Sequence, residues 1–132
     1  MPAPASAIFS AAARVAAQNS LLALVDAGSG AGKLRVRNSA DTLLWEAPFT
    51  NPAGTVNGTT GILTITFPAG TVNAVATGTA AYGEVTDDAN TVIWSAPAEA
   101  GSAAVNGKVV LNTLSVVSGS PITPVSLVFD PN

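Results

Sequence analysis

A chain of 132 residues is the size of one compact domain. It carries 5 Lys+Arg against 8 Asp+Glu, a net charge of -3 with only 10% charged residues, so it has no electrostatic footprint for nucleic acid. With His 0 and Cys 0, it lacks an imidazole base, a thiol nucleophile, a disulfide and a conventional zinc or haem site, which closes most enzyme mechanisms.

The polarity comes from small neutral side chains, 14 Thr, 11 Ser and 9 Asn, alongside 25 Ala. No stretch approaches the ~18 to 20 apolar residues of a membrane span. The Ala-rich start does not read as a signal peptide, because no Lys or Arg precedes the apolar part and Arg14 falls inside it. Gln18-Asn19-Ser20 then interrupts the apolar run. The expectation is a protein made in the cytoplasm and left unprocessed, with no membrane partner.

The first element is a helix over Ser6 to Asp26. Ile8, Ala12, Val15, Leu22 and Val25 recur at helical spacing, and Gly28 supplies a stop. Its polar face is thin, with Ser10, Arg14 and Gln18, which predicts neighbours on more than one side. Gly28-Ser29-Gly30-Ala31-Gly32 reads as a flexible joint. Strands are expected near 33-38, 42-49, 61-67, 71-77, 80-86, 90-95, 108-117 and 121-129, where short Val, Ile, Leu and Thr runs alternate with Gly, Asn, Pro and Asp clusters. The expected organisation is a docking arm, 1-32, followed by a β domain, 33-132.

The chain also repeats itself. Thr42-Leu43-Leu44-Trp45-Glu46-Ala47-Pro48 aligns with Thr91-Val92-Ile93-Trp94-Ser95-Ala96-Pro97, a displacement of 49 residues from Thr42 to Thr91. At the same displacement Val56-Asn57-Gly58 matches Val105-Asn106-Gly107, Thr64 matches Thr113 and Gly70 matches Gly119. Two copies, 33-78 and 82-129, suit a mainly β fold. The specific expectation is a two-sheet antiparallel β-sandwich, jelly-roll-like, with approximate internal twofold symmetry and one N-terminal helix. Trp45 and Trp94 should each anchor one half of the core. Pro48 and Pro97 should end their strands. Asn57-Gly58 and Asn106-Gly107 carry the tight-turn dipeptide suited to positive φ.

Candidate chemistry is sparse. Gly28-Ser29-Gly30-Ala31-Gly32-Lys33 departs from a phosphate loop at Ala27 and at Leu34, and its order is helix then strand. Asp87-Asp88-Ala89-Asn90 lacks calcium-loop spacing and aligns with Asn38-Ser39-Ala40-Asp41 as a hairpin turn. Asp26, Asp41, Glu46, Glu84, Asp87, Asp88, Glu99 and Asp130 form no recognisable catalytic pair. Abundant Ser has neither His nor a Ser-x-x-Lys arrangement to activate it. No catalytic, cofactor or metal residue is therefore assigned. Lys33, Arg35 and Arg37 alternate with Leu34 and Val36, lining one face of one strand. They read either as a solvated face that discourages edge pairing or as a docking stripe for an acidic surface. With Ile8, Phe9 and Arg14 of the helix, they are the candidate docking residues.

The run Leu21-Leu22-Ala23-Leu24-Val25-Asp26-Ala27-Gly28-Ser29-Gly30-Ala31-Gly32-Lys33-Leu34-Arg35-Val36 resembles the opening of small tailed-bacteriophage virion proteins. Thr77-Gly78-Thr79-Ala80-Ala81-Tyr82-Gly83-Glu84-Val85-Thr86-Asp87, with the Trp94 strand after it, resembles their middle. The resemblance implies a non-enzymatic capsid decoration (cement) protein on the outside of the head. Its partners would be the major capsid protein or other virion subunits, and it would form a homo-oligomer, often a trimer. A tail or head-tail joining component is the alternative within that class. A glycan- or receptor-binding β-sandwich is the alternative outside it.

Overall fold

The computed structural model describes residues 9–130. Helix α1 spans Ala11–Val25; the expected residues 6-8 lie outside the described range, and Phe9 and Ser10 are not helical. Ser10 is extended, at φ -64 and ψ 162, and its hydroxyl accepts the Ala13 N–H at 3.2 Å, so it is the N-cap. The helix stops at Asp26, ahead of Gly28. The Asp26 N–H still donates to Leu22 O, and its carboxylate turns away to accept the Ala53 N–H at 3.0 Å.

Twelve strands come after the helix: β1 Lys33–Arg37, β2 Leu43–Pro48, β3 Gly54–Val56, β4 Leu63–Ile65, β5 Val72–Asn73, β6 Gly78–Thr79, β7 Tyr82–Thr86, β8 Val92–Ala100, β9 Val109–Leu111, β10 Ser115–Val116, β11 Pro121–Ile122 and β12 Pro124–Phe129. Eight of them make one curled sheet in the order β2-β1-β7-β8-β9-β12-β4-β3, and β5/β11 and β6/β10 form two-stranded ribbons. The fold is mainly β with one helix, as composition and patterning indicate.

The sheet is mixed, because β8 and β9 run parallel. β8 makes the curl: residues 92 to 97 pair with β7, and Ala98, Glu99 and Ala100 pair with β9. Pro97 therefore does not end its strand, unlike Pro48, the last residue of β2. Ala98 N–H donates to Ala81 O at 3.0 Å, so the missing Pro97 donor points away from β7, where β9 has not yet begun. A proline costs no ladder bond at that handover.

Two of the long expected strands are broken at one place. Asn112 Oδ1 accepts the Thr123 N–H at 3.1 Å, and this side-chain acceptor competes with the ladder. Asn112 and Thr123, also joined by the Asn112 N–H to Thr123 O at 3.2 Å, lie where β9 stops short of β10 and β11 stops short of β12. Expected strand 71-77 is interrupted after β5, where Val75 N–H leaves the ribbon to donate to Leu44 O at 2.8 Å. β3 was hidden by its Gly- and Asn-rich surroundings. Gly54 is needed there, since a Cβ would collide with the Thr64 carbonyl across the hairpin.

The repeat is visible in the backbone. In the first hairpin, Asn38 Oδ1 accepts the N–H groups of Ala40 and Thr42, each at 2.9 Å, and Asp41 lies at φ 65. In the second, Asp87 Oδ1 accepts those of Ala89 and Thr91, each at 2.9 Å, and Asn90 lies at φ 66. The β1/β2 and β7/β8 pairings both slip at equivalent places, between Val36 and Arg37 and between Val85 and Thr86. The hairpins join through β1 and β7, with Arg35 opposite Glu84. Those two residues are equivalent in the repeat, so exchanging the halves maps the β1/β7 pairing onto itself. β5 and β11 meet in the same self-complementary way, Val72 opposite Ile122 and Asn73 opposite Pro121. The equivalence fades between them: β3 and β4 have no strand counterparts at 103-105 and 112-114.

Alternation in β1 buries Leu34 and Val36 and turns Lys33, Arg35 and Arg37 to the other face. Leu34 and Val36 join Leu44, Trp45, Phe49, Leu63, Val109, Leu127 and helix residue Val25 in one core. α1 thus packs on its own chain's strands, and arm and β domain share a core. The glycine joint is clamped. Gly30 N–H donates to Asp88 Oδ2 at 2.9 Å, and a Cβ on Gly28 would collide with the same carboxylate. No described helix is long and apolar enough to cross a membrane.

Candidate functional site

Each cation of the stripe meets a carboxylate within its own sheet. Lys33 Nζ lies 3.3 Å from Glu46 Oε1 and donates to Asn90 Oδ1 at 3.1 Å. Arg35 Nε is 3.4 Å from Glu46 Oε2, an electrostatic contact without hydrogen-bond geometry. Arg37 Nε donates to Glu84 Oε1 at 2.6 Å and its Nη1 to Asp41 O at 2.9 Å. That bond to Glu84 raises the guanidinium's pKa above its ordinary value. Tyr82 donates to Asp41 Oδ1 at 2.7 Å, which raises the phenol's pKa. The three cations thus present a flat polar ladder with its carboxylates already in place. The sequence showed the stripe; Glu46 and Glu84, one strand away on either side of β1, are the partners it could not place.

The helix residues divide. Ile8 lies outside the described residues. Arg14 is used internally, its Nε donating to Thr60 O at 2.8 Å and its Nη1 to Phe9 O at 2.7 Å. Gln18, which the helical pattern placed on the polar face, is buried, and its Nε2 donates to Phe129 O at 2.7 Å. Phe9 is 56% exposed and Leu24 51%. Between them Ala13, Ala16, Ala17, Ser20 and Ala23 are all exposed. Helical spacing puts these on one side, so α1 turns an uncharged, mostly apolar face to solvent. Two further exposed apolar side chains have no signature in the local pattern: Val75, just after β5, and Val117, just after β10.

The tryptophans are not equivalent. Trp45 is fully buried and its Nε1–H donates to Val72 O at 2.8 Å. Trp94 is only half-buried, packs its ring 6.2 Å from that of Phe129, and its buried Nε1 has no hydrogen-bond partner among the described residues. Trp45 lies within the core and Trp94 packs against it partly buried. Trp94 lacks the carbonyl that β5 brings to β2.

A shallow cleft of about 380 Å³ lies beside Phe67, Pro68, Thr123 and Pro124. It continues into a smaller one against Pro48 and Val72. No titratable side chain lines either. Among the described residues no three acidic, His or Cys groups stand where they could hold a metal ion. Compared with protein-family models, curated proteins and solved structures, the chain matches none of them.

Proposed function

We propose that this chain is a non-enzymatic structural subunit of a tailed-bacteriophage particle, a decoration (cement) protein that binds the outside of the head shell and stabilises it. In this reading it is made in the host cytoplasm and ends in the virion, contacts the major capsid protein, and forms a homo-oligomer, with a trimer favoured. The two ends of the curled sheet act as facing layers of a jelly-roll-like sandwich. The observation that carries the reading is the outward face of α1. A helix held by Val25, Gln18 and Arg14 on one side leaves Leu24 and its exposed alanines bare on the other, with Phe9 exposed just ahead of the N-cap. Interface cores are depleted in charge, and this face has none.

Removal of residues 1-27 is expected to abolish incorporation into particles, but it does not isolate docking from folding. With Val25 in the shared core, that truncation would open the fold as well. Surface variants separate the two effects. Ala16→Glu and Leu24→Glu should leave the thermal midpoint nearly unchanged, since exposed substitutions usually change stability by less than about 0.5 kcal/mol. They should reduce co-sedimentation with assembled shells at least about tenfold. Wild-type co-sedimentation of both folded variants would refute the proposal.

A further inference from the structure

Asn57-Gly58 and Asn106-Gly107 occupy equivalent places in the repeat, and the fold treats them oppositely. At the second pair, Gly107 lies at φ 72 and its N–H donates to Val128 O at 2.9 Å. Asn106 is clasped on both ends of its amide, with Oδ1 accepting the Asp130 N–H at 2.7 Å and Nδ2 donating to Asp130 O at 3.4 Å. At the first pair the side-chain oxygen alone is held. Asn57 Oδ1 accepts the N–H groups of Thr59 at 2.8 Å and Thr60 at 2.9 Å. Neither Asn57 Nδ2 nor the Gly58 N–H has a hydrogen-bond partner among the described residues, and both residues are exposed. Gly58 is not left-handed, and a Cβ there would meet nothing within 4 Å. Neither conformation nor packing requires glycine at 58, contrary to the positive φ expected from the dipeptide.

We propose that Asn57 is a site of spontaneous deamidation, promoted by its own turn, and that Asn106 is protected. The Gly58 amide nitrogen attacks Asn57 Cγ. A Cγ–N bond forms, the Cγ–Nδ2 bond breaks, and Nδ2 leaves as ammonia with the Gly58 proton. Water then opens the five-membered imide at either carbonyl, giving aspartate or isoaspartate. Negative charge gathers on Oδ1 as the tetrahedral adduct forms, and two backbone N–H groups already donate to that oxygen, at 2.8 and 2.9 Å, where they can stabilise it. Glycine leaves the attacking nitrogen unhindered. At Asn106 the same nitrogen is tied to Val128 O and the leaving amide is tied to Asp130, so both bonds must break first.

The modification has a structural consequence. The Asn57 turn holds the Thr60 carbonyl that receives Arg14 Nε. Isoaspartate lengthens the main chain at that turn by one methylene and displaces the carbonyl, loosening the N-terminal half of α1.

The test is peptide mapping by mass spectrometry after incubating the full chain in mildly alkaline buffer, folded and in denaturant. In the folded chain Asn57 should convert at least about tenfold faster than Asn106, the factor expected when hydrogen bonds of ordinary strength must break at one site only. In denaturant the two rates should converge. Gly58→Ala, whose methyl enters open space, should keep the fold and suppress conversion at Asn57. Hydrogen exchange in α1 should rise in the converted fraction. Equal rates in the folded chain, faster conversion at Asn106, or unchanged conversion in Gly58→Ala would overturn the proposal; unchanged exchange in α1 would overturn its link to the helix.

Discussion

Tyr82 is the chain's only tyrosine, so its ionisation can be followed without interference. Donation to Asp41 Oδ1 favours the neutral phenol and raises its pKa above the ordinary 10.0. A raised folded value means the folded state holds the proton more tightly than the unfolded chain. The stability this contributes is complete below pH 10 and is lost as pH rises through the folded value. Ultraviolet titration of the folded protein should therefore give a midpoint above 10. Asp41→Gly suits φ 65 and deletes the carboxylate, so its midpoint should fall back toward the ordinary value. The two tryptophans show where the sequence stops informing at this scale. Trp45 and Trp94 have matching neighbours, yet only one meets a carbonyl acceptor, supplied by Val72 from 27 residues away. Alternation identifies the inward positions; local pattern does not say which main-chain group crosses over to satisfy an indole.

The hairpins were legible because their determinants are local. An Asn or Asp four residues before Thr42 or Thr91 accepts two main-chain donors, and an Asp or Asn at positive φ completes each turn. The rest of each repeat was less legible, because Asn112 and Thr123 exchange two bonds, one of them through the Asn112 side chain, where two expected strands break, and a proline sits harmlessly at the β7/β9 handover. The glycine joint after α1 has a partner no local pattern reveals, the Asp88 carboxylate of the second hairpin. Gly28→Ala should lower stability by about 2 kcal/mol, through the collision with Asp88 and loss of its charged hydrogen bond to Gly30. In an Asp88→Ala background the same substitution should cost clearly less. A double-mutant cycle by chemical denaturation reads the coupling directly, and strict additivity would mean the joint is not held by that carboxylate.

Across the whole molecule, four of the five cations are engaged within the chain. Lys33, Arg35 and Arg37 meet Glu46 and Glu84, and Arg14 meets two carbonyl oxygens. Little is left for long-range steering of a partner. If the subunit docks on shells through the neutral face of α1, affinity should stay within about threefold between about 0.1 M and about 1 M salt, where the screening length falls from about 10 to about 3 Å. Steep weakening over that range, measured by co-sedimentation, would return the docking role to the cation ladder.

The pairing of β1 with β7 has one more implication. A chain holding a single repeat could complete that pairing only with another copy of itself, and the residue at its centre would then face its own twin. Identical charged side chains directly opposite one another repel across a sheet. Joining the halves in one chain lifts this restriction, because the two central positions are free to differ: they hold Arg35 and Glu84, opposite charges that no assembly of identical single repeats could bring together there.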